Sequence, residues 1–121
     1  MAALQAQARK SAVPVTVESD GVGRYPQEVE AAVYFSVLEA LQNVAKYAEA
    51  EHTTVALAQD NGDLAFAVRD DGKGFATAEA VRGSGLQGMA DRLGALGGTV
   101  EVTSAPGAGT VVAGRVPAEQ V

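Results

Sequence analysis

The stretch Thr54-Val55-Ala56-Leu57-Ala58-Gln59-Asp60-Asn61-Gly62-Asp63-Leu64-Ala65-Phe66-Ala67-Val68-Arg69 decides the fold. Two apolar runs, Thr54–Gln59 and Leu64–Arg69, flank Asn61-Gly62, a pair suited to the positive backbone angles of a tight hairpin turn. The spacing predicts two antiparallel strands that send Val55, Leu57, Leu64, Phe66 and Val68 to the core.

Working outward, residues 27–48 lack strand alternation and repeat at helical spacing. Val33, Val37, Ala40, Val44 and Ala48 form one apolar stripe. Glu39, Asn43 and Lys46 lie on a second, polar stripe of that helix. Before it, Val13-Pro14-Val15-Thr16-Val17-Glu18 alternates as a first strand, and residues 19–26 make a loop. After the hairpin a glycine-laced loop, Asp70 to Gly85, leads to a helix over Leu86–Leu96. Gly97-Gly98 supplies its stop. Strands over Thr99–Thr103 and Thr110–Val116 complete the chain. The order strand, helix, two strands, helix, two strands predicts an α/β two-layer sandwich, a mixed, mostly antiparallel sheet with helices on one face. Residues 1–12 read as a linker or the end of an upstream helix, and residues 13–121 as one domain.

Composition narrows the function. Net charge is −6 and no basic stripe exists, which argues against nucleic-acid binding. There is no cysteine, so disulfides and thiolate metal sites are excluded. No apolar run approaches the ~18 residues of a membrane span, so direct membrane contact is not expected. His52 is the one histidine. No nucleophile elbow or metal-ligand spacing accompanies it.

Four stretches carry candidate chemistry. Asp70-Asp71-Gly72-Lys73-Gly74-Phe75 puts a carboxylate at the end of an apolar strand, followed by glycines that let a ligand approach the backbone closely. Such an acceptor suits an exocyclic amine; a solvated Asp-Gly turn has the same pattern. Gly83-Ser84-Gly85-Leu86-Gln87-Gly88 opens a helix, where free N–H groups can cradle phosphate. It matches a dinucleotide fingerprint in spacing only, because the residues before it, Thr77–Arg82, are too polar for the buried strand that fingerprint needs. On the long helix Asn43 offers an oxygen ligand for Mg²⁺. Glu39 sits one turn earlier and Lys46 one turn later, though a solvated face reads the same way. Gly107-Ala108-Gly109-Thr110 enters the last strand as a glycine hairpin.

Together and in order, these stretches resemble the superfamily of histidine kinase, gyrase and Hsp90-type ATPases with the Bergerat-type ATP-binding fold. Glu39-x-x-x-Asn43-x-x-Lys46-Tyr47 resembles its N box. Asp70-x-Gly72-x-Gly74 and Gly83-x-Gly85-Leu86-x-Gly88-Met89 resemble its two glycine boxes, and Gly109-Thr110 its terminal glycine-threonine box. The phrasing around residues 38–48 and 88–93 is most similar to sensor kinases of the nitrate-sensor and degradation-sensor type.

The resemblance implies ATP and Mg²⁺ as ligands. It implies that Asp70 accepts from the adenine amine with the Thr110 hydroxyl in support, and that Asn43 holds Mg²⁺ with Glu39 in or beside the metal shell. Lys46 contacts phosphate, Tyr47 lines the nucleotide, and Gly72 and Gly74 admit the base. Gly83, Gly85 and Gly88 shape a short lid after Phe75 that brings the amides of Leu86 and Gln87, and the Arg82 cation, toward the phosphates. The implied function is the catalytic domain of a cytoplasmic sensor histidine kinase, monomeric when isolated. Its partners are a dimerisation and histidine-phosphotransfer domain, absent from this sequence, and a response regulator. A stand-alone anti-sigma factor with serine-kinase activity and an ATP-hydrolysing clamp are the alternatives.

Overall fold

The computed structural model describes residues 15–20, 23–43, 51–60, 62–72, 86–104 and 109–118. Its elements are β1 (Val15–Asp20), α1 (Gln27–Asn43), β2 (Thr53–Asp60), β3 (Asp63–Asp70), α2 (Leu86–Gly94), β4 (Thr99–Ser104) and β5 (Thr110–Pro117). The strands form one sheet in the order β1-β2-β3-β5-β4. β1 and β2 are parallel, and every other pair is antiparallel. Both hairpins expected from the sequence are present.

Burial alternates along β3, with Leu64, Phe66 and Val68 buried and the residues between them partly or fully exposed. Val55 and Leu57 of β2 and Val116 of β5 share that buried face. α1 covers it with Val29, Ala32, Val33, Ser36, Val37, Ala40 and Leu41, a stripe at helical spacing. Ser36 donates to the Ala32 carbonyl at 2.7 Å, so its buried hydroxyl is satisfied inside the helix. α2 adds Met89 and Leu93. Both helices therefore lie on one side of the sheet, as the two-layer reading requires. On the other side Ala56, Ala58, Ala65, Ala67 and Ala113 floor a shallow hollow rimmed by Thr99, Glu101 and Arg115.

The ends of α1 and α2 are set by local chemistry. At the start of α1 the Glu30 carboxylate accepts from the Tyr25 amide at 3.1 Å and pairs with Arg24 at 3.0 Å, which places negative charge on the first turn. The Arg24 hydrogen bond, then the Tyr25 amide, hold the Glu30 carboxyl below the usual range. α2 closes in a Schellman turn: Gly98 donates to the Leu93 carbonyl at 2.8 Å and Gly97 to that of Gly94 at 3.0 Å. Gly97, at φ +80°, occupies the left-handed position that turn needs.

Some boundaries move. β1 extends two residues past its expected end at Glu18, because register with β2 carries pairing through Ser19↔Leu57 and Asp20↔Ala58. Backbone pairing, not side-chain polarity, decides that end. β2 begins at Thr53 rather than Thr54, and regular α2 ends at Gly94, three residues before the Gly97-Gly98 stop. Residues 1–12, Val44 and Ala48 of the expected stripe, and the loop from Lys73 to Gly85 lie outside the described residues. Among the described residues no helix is long and apolar enough to cross a membrane.

Candidate functional site

The sheet has two ends, and one of them gathers most of the described candidates. β2 begins there and β3 ends there, since Thr53 pairs with Asp70. β5 begins there too, since Asp70 pairs with Thr110. α1 is the crossover between parallel β1 and β2, so it runs back along them and its last turn, ending at Asn43, reaches the same end. A hydrogen bond from the Tyr25 hydroxyl to the Gln59 side chain fixes the start of α1 at the opposite end. α2 begins beside Asp70's end as well, because its stop at Gly97-Gly98 lies against Pro117 and Arg115 at the far end of β5. Asn43, Asp70, Gly72, the Leu86-Gln87-Gly88 turn and Thr110 are thus drawn together from elements far apart in sequence.

On the helix-covered face the cross-strand rows read Gln59–Leu64–Val116, Leu57–Phe66–Gly114, Val55–Val68–Val112 and then Thr53–Asp70–Thr110. The last row is polar. It is the point where an apolar core gives way to groups that can bind.

Asp70 is half-buried in that row. Its carboxylate accepts from the Gly72 amide at 2.9 Å and from the backbone amide of Thr110. Burial raises its pKa above the ordinary aspartate value. The Gly72 amide opposes that shift, the neighbouring Asp71 charge adds to it, and the Thr110 amide opposes it again. A half-buried carboxylate with a raised pKa and spare acceptor capacity is poised for a donor ligand. The Thr110 backbone amide supports Asp70 from across the ladder. Gly109 packs against the Asp70 backbone at φ +75°.

Asp71 was not singled out from the sequence. Its carboxylate Oδ1 accepts from the backbone amides of Glu51 at 2.9 Å and His52 at 3.0 Å. These bonds, from His52 first and Glu51 second, hold its carboxyl below the usual aspartate range. Asp71 fastens the entry of β2 to the exit of β3 while Asp70, one residue earlier, faces the site. The pairing spans about 20 residues, and only its Asp-Gly turn context hinted at it.

His52 is exposed, and its Nε2 lies 3.1 Å from Thr16 Oγ1. Thr16 alternates with the core-packed Val15 and Val17, so this ring sits on the open side of the sheet, away from Asp70. Glu39 is partly exposed on the last turns of α1. Gly88 is exposed at the start of α2. Lys46, Tyr47, Gly74, Gly83 and Gly85, with Arg82, lie outside the described residues.

Residues 28–120 match the family model described as histidine kinase-, DNA gyrase B-, and HSP90-like ATPase. The chain is 37% identical over 95 residues to the signal transduction histidine-protein kinase/phosphatase DegS of Brevibacillus brevis, covering 78% of this chain and 25% of that protein. It is 36% identical over 96 residues to the oxygen sensor histidine kinase NreB of Staphylococcus carnosus, covering 78% and 28%. The chain thus spans about a quarter of the length of these relatives. Among solved structures, the histidine kinase domain of the blue-light activated histidine kinase from Erythrobacter litoralis EL346 is similar at a TM-score of 0.70 and 27% identity, over 96% of this chain and 56% of that one.

Proposed function

Because this chain belongs to the family of histidine kinase-, DNA gyrase B- and HSP90-like ATPases, we propose that it is the catalytic domain of a cytoplasmic sensor histidine kinase. It would transfer the ATP γ-phosphate to a histidine on a separate dimerisation domain, from which a response-regulator aspartate later takes it. The observation that carries this reading is the half-buried Asp70 carboxylate, held by backbone amides where α1 ends and α2 begins. The likeness to sensor kinases over most of this chain supports it.

Asp70 takes an N–H of the adenine amine, which orients the base. The triphosphate then extends toward the Leu86, Gln87 and Gly88 amides at the start of α2, where a helix N-terminus favours anions. Lys46 adds a cation, Tyr47 lines the nucleotide, and Gly72, Gly74, Gly83 and Gly85 let backbone approach it. Magnesium fits this donor set. Among the described residues no group of three or more His, Asp or Glu side chains converges. The protein would therefore contribute the Asn43 carboxamide and a water-linked Glu39, leaving other positions to phosphate oxygens, as Mg²⁺ prefers. The metal supplies charge neutralisation on the phosphates. The chain's own task is positioning, since phosphoryl transfer breaks the bond between Pγ and the β,γ-bridging oxygen, forms the N–P bond and asks little other chemistry of the protein.

One expected result follows from where the sole histidine sits. The isolated chain should bind ATP and acquire no label from radiolabelled ATP, because the His52 ring lies across the sheet from Asp70. Supplying the dimerisation helices in trans should give weak, acid-labile label on their histidine, weak because no tether raises the effective concentration. Acid-labile label on the chain alone, or acid-stable label on a serine of a partner, would overturn the proposal.

A second concerns pH. The ionised form of Asp70 is the better acceptor, and burial raises its pKa. ADP affinity should therefore begin to fall on acidification at a higher pH than an exposed aspartate would dictate. Stability runs the other way for this group. A raised folded-state pKa gives a contribution that is present at low pH and lost as pH rises through that pKa. Calorimetric ADP titrations across the mildly acid range, paired with thermal melts, separate the two. Affinity that holds steady through that range would remove Asp70 from the base contact.

A further inference from the structure

The polar row contains a group that the family reading does not use. The Thr53 hydroxyl is fully buried and, among the described residues, has no hydrogen-bond partner. Buried polar atoms are nearly always paired, so a lone orphan calls for an explanation. Thr53 pairs directly with Asp70 across β2 and β3 and lies on the same face. Side chains so placed have Cβ atoms about 4.5–5.5 Å apart. On its other side Thr53 pairs with Val15, which offers no polar partner. Valine would fill the same pleated position without burying an oxygen.

We propose that Thr53 is a base-contacting residue of the nucleotide pocket, whose hydroxyl accepts the second N–H of the adenine amine, directly or through one water, while Asp70 accepts the first. The inference rests on the ATP-binding reading of the site. The donors and acceptors balance. An exocyclic amine carries two N–H donors, and the Asp70 carboxylate meets one of them. A hydroxyl oxygen has lone pairs that accept the other. The same contact explains why an oxygen is kept at the buried position where the apolar rows give way to Asp70. Asp70 alone distinguishes an amine from a carbonyl at this edge of the purine. Thr53 adds a demand for an amine that retains both protons.

The test measures ADP affinity by calorimetry for the wild-type domain, Thr53→Val and Thr53→Ser, beside thermal melts without nucleotide. Thr53→Val should bind ADP about tenfold more weakly, the scale of one lost buried hydrogen bond. It should melt no lower than wild type, because its orphan is gone. Thr53→Ser should retain near wild-type affinity. With the diphosphate of purine riboside, which lacks the amine, wild type and Thr53→Val should bind equally. A Thr53→Val domain that binds ADP as well as wild type overturns the proposal, as does an equal loss with the amine-free analogue, which would mark a packing effect. A wild-type domain that binds no ADP would instead bring down the nucleotide reading itself.

Discussion

Asp70→Asn is expected to weaken ADP and ATP binding by roughly 10- to 150-fold while the domain stays folded. A hydrogen bond to a charged group is worth about 1.5–3 kcal/mol, and each 1.4 kcal/mol is about a factor of ten. Geometry makes the substitution harsh in spite of its small size. The carboxylate accepts from Gly72 and Thr110 and still has a lone pair for the ligand. A carboxamide has one oxygen. If that oxygen keeps the backbone donors, its NH₂ faces the adenine amine donor to donor. If it turns to the ligand, the two amides lose their acceptor. Stability should change little. Burial already disfavours the ionised Asp70 in the folded state, and a neutral side chain escapes that cost. Calorimetry and a thermal melt on the same sample settle it. A folded variant with wild-type affinity would make Asp70 a turn residue and nothing more.

Gly109→Ala is expected to cost roughly 3–5 kcal/mol of stability, a large part of the ~5–15 kcal/mol that holds a domain of this kind together. Two effects add. Gly109 has φ +75°, a conformation that costs an L-residue with a Cβ about 1–2 kcal/mol. The added Cβ would also stand 2.3 Å from the Asp70 carbonyl oxygen, inside any tolerable contact. Backbone, not a flexible side chain, is what it meets, so β3 and β5 must part at the residue that carries the site. Nucleotide affinity should fall with stability. Gly94→Ala is the control, since nothing lies within 4 Å of its Cβ position and the residue is helical. Urea titrations of both variants compare them. Equal midpoints for Gly109→Ala and wild type would show that the strand end yields without cost.

Much of this domain is legible in its residue pattern. The hairpin of β2 and β3 follows from two apolar runs around Asn61-Gly62, because strand alternation and turn chemistry are local. The α1 stripe through Val33, Val37 and Ala40 and the Gly97-Gly98 stop of α2 are equally local, and the structure contains both. The place of Asp70 was legible too, as a carboxylate at the end of an apolar strand followed by glycines.

Other features depend on pairing between distant segments, which residue pattern does not encode. The placement of β5 between β3 and β4 is one, and it sets Thr110 beside Asp70. Thr53 is another. Taken alone it is a polar residue before a strand, and only register with Asp70 turns its side chain into the buried row. Asp71 looks like half of a turn until its carboxylate is found holding the Glu51 and His52 amides. Periodicity, turn chemistry and residue type act over a few residues, and from them come the elements, their order and a carboxylate followed by glycines at the end of β3. The sheet added the buried Thr53 hydroxyl beside that carboxylate and the amide of Thr110 that holds it. Strand register and burial are set by contacts across the sheet, and they turn a threonine, an amide and a glycine from three separate segments into its walls.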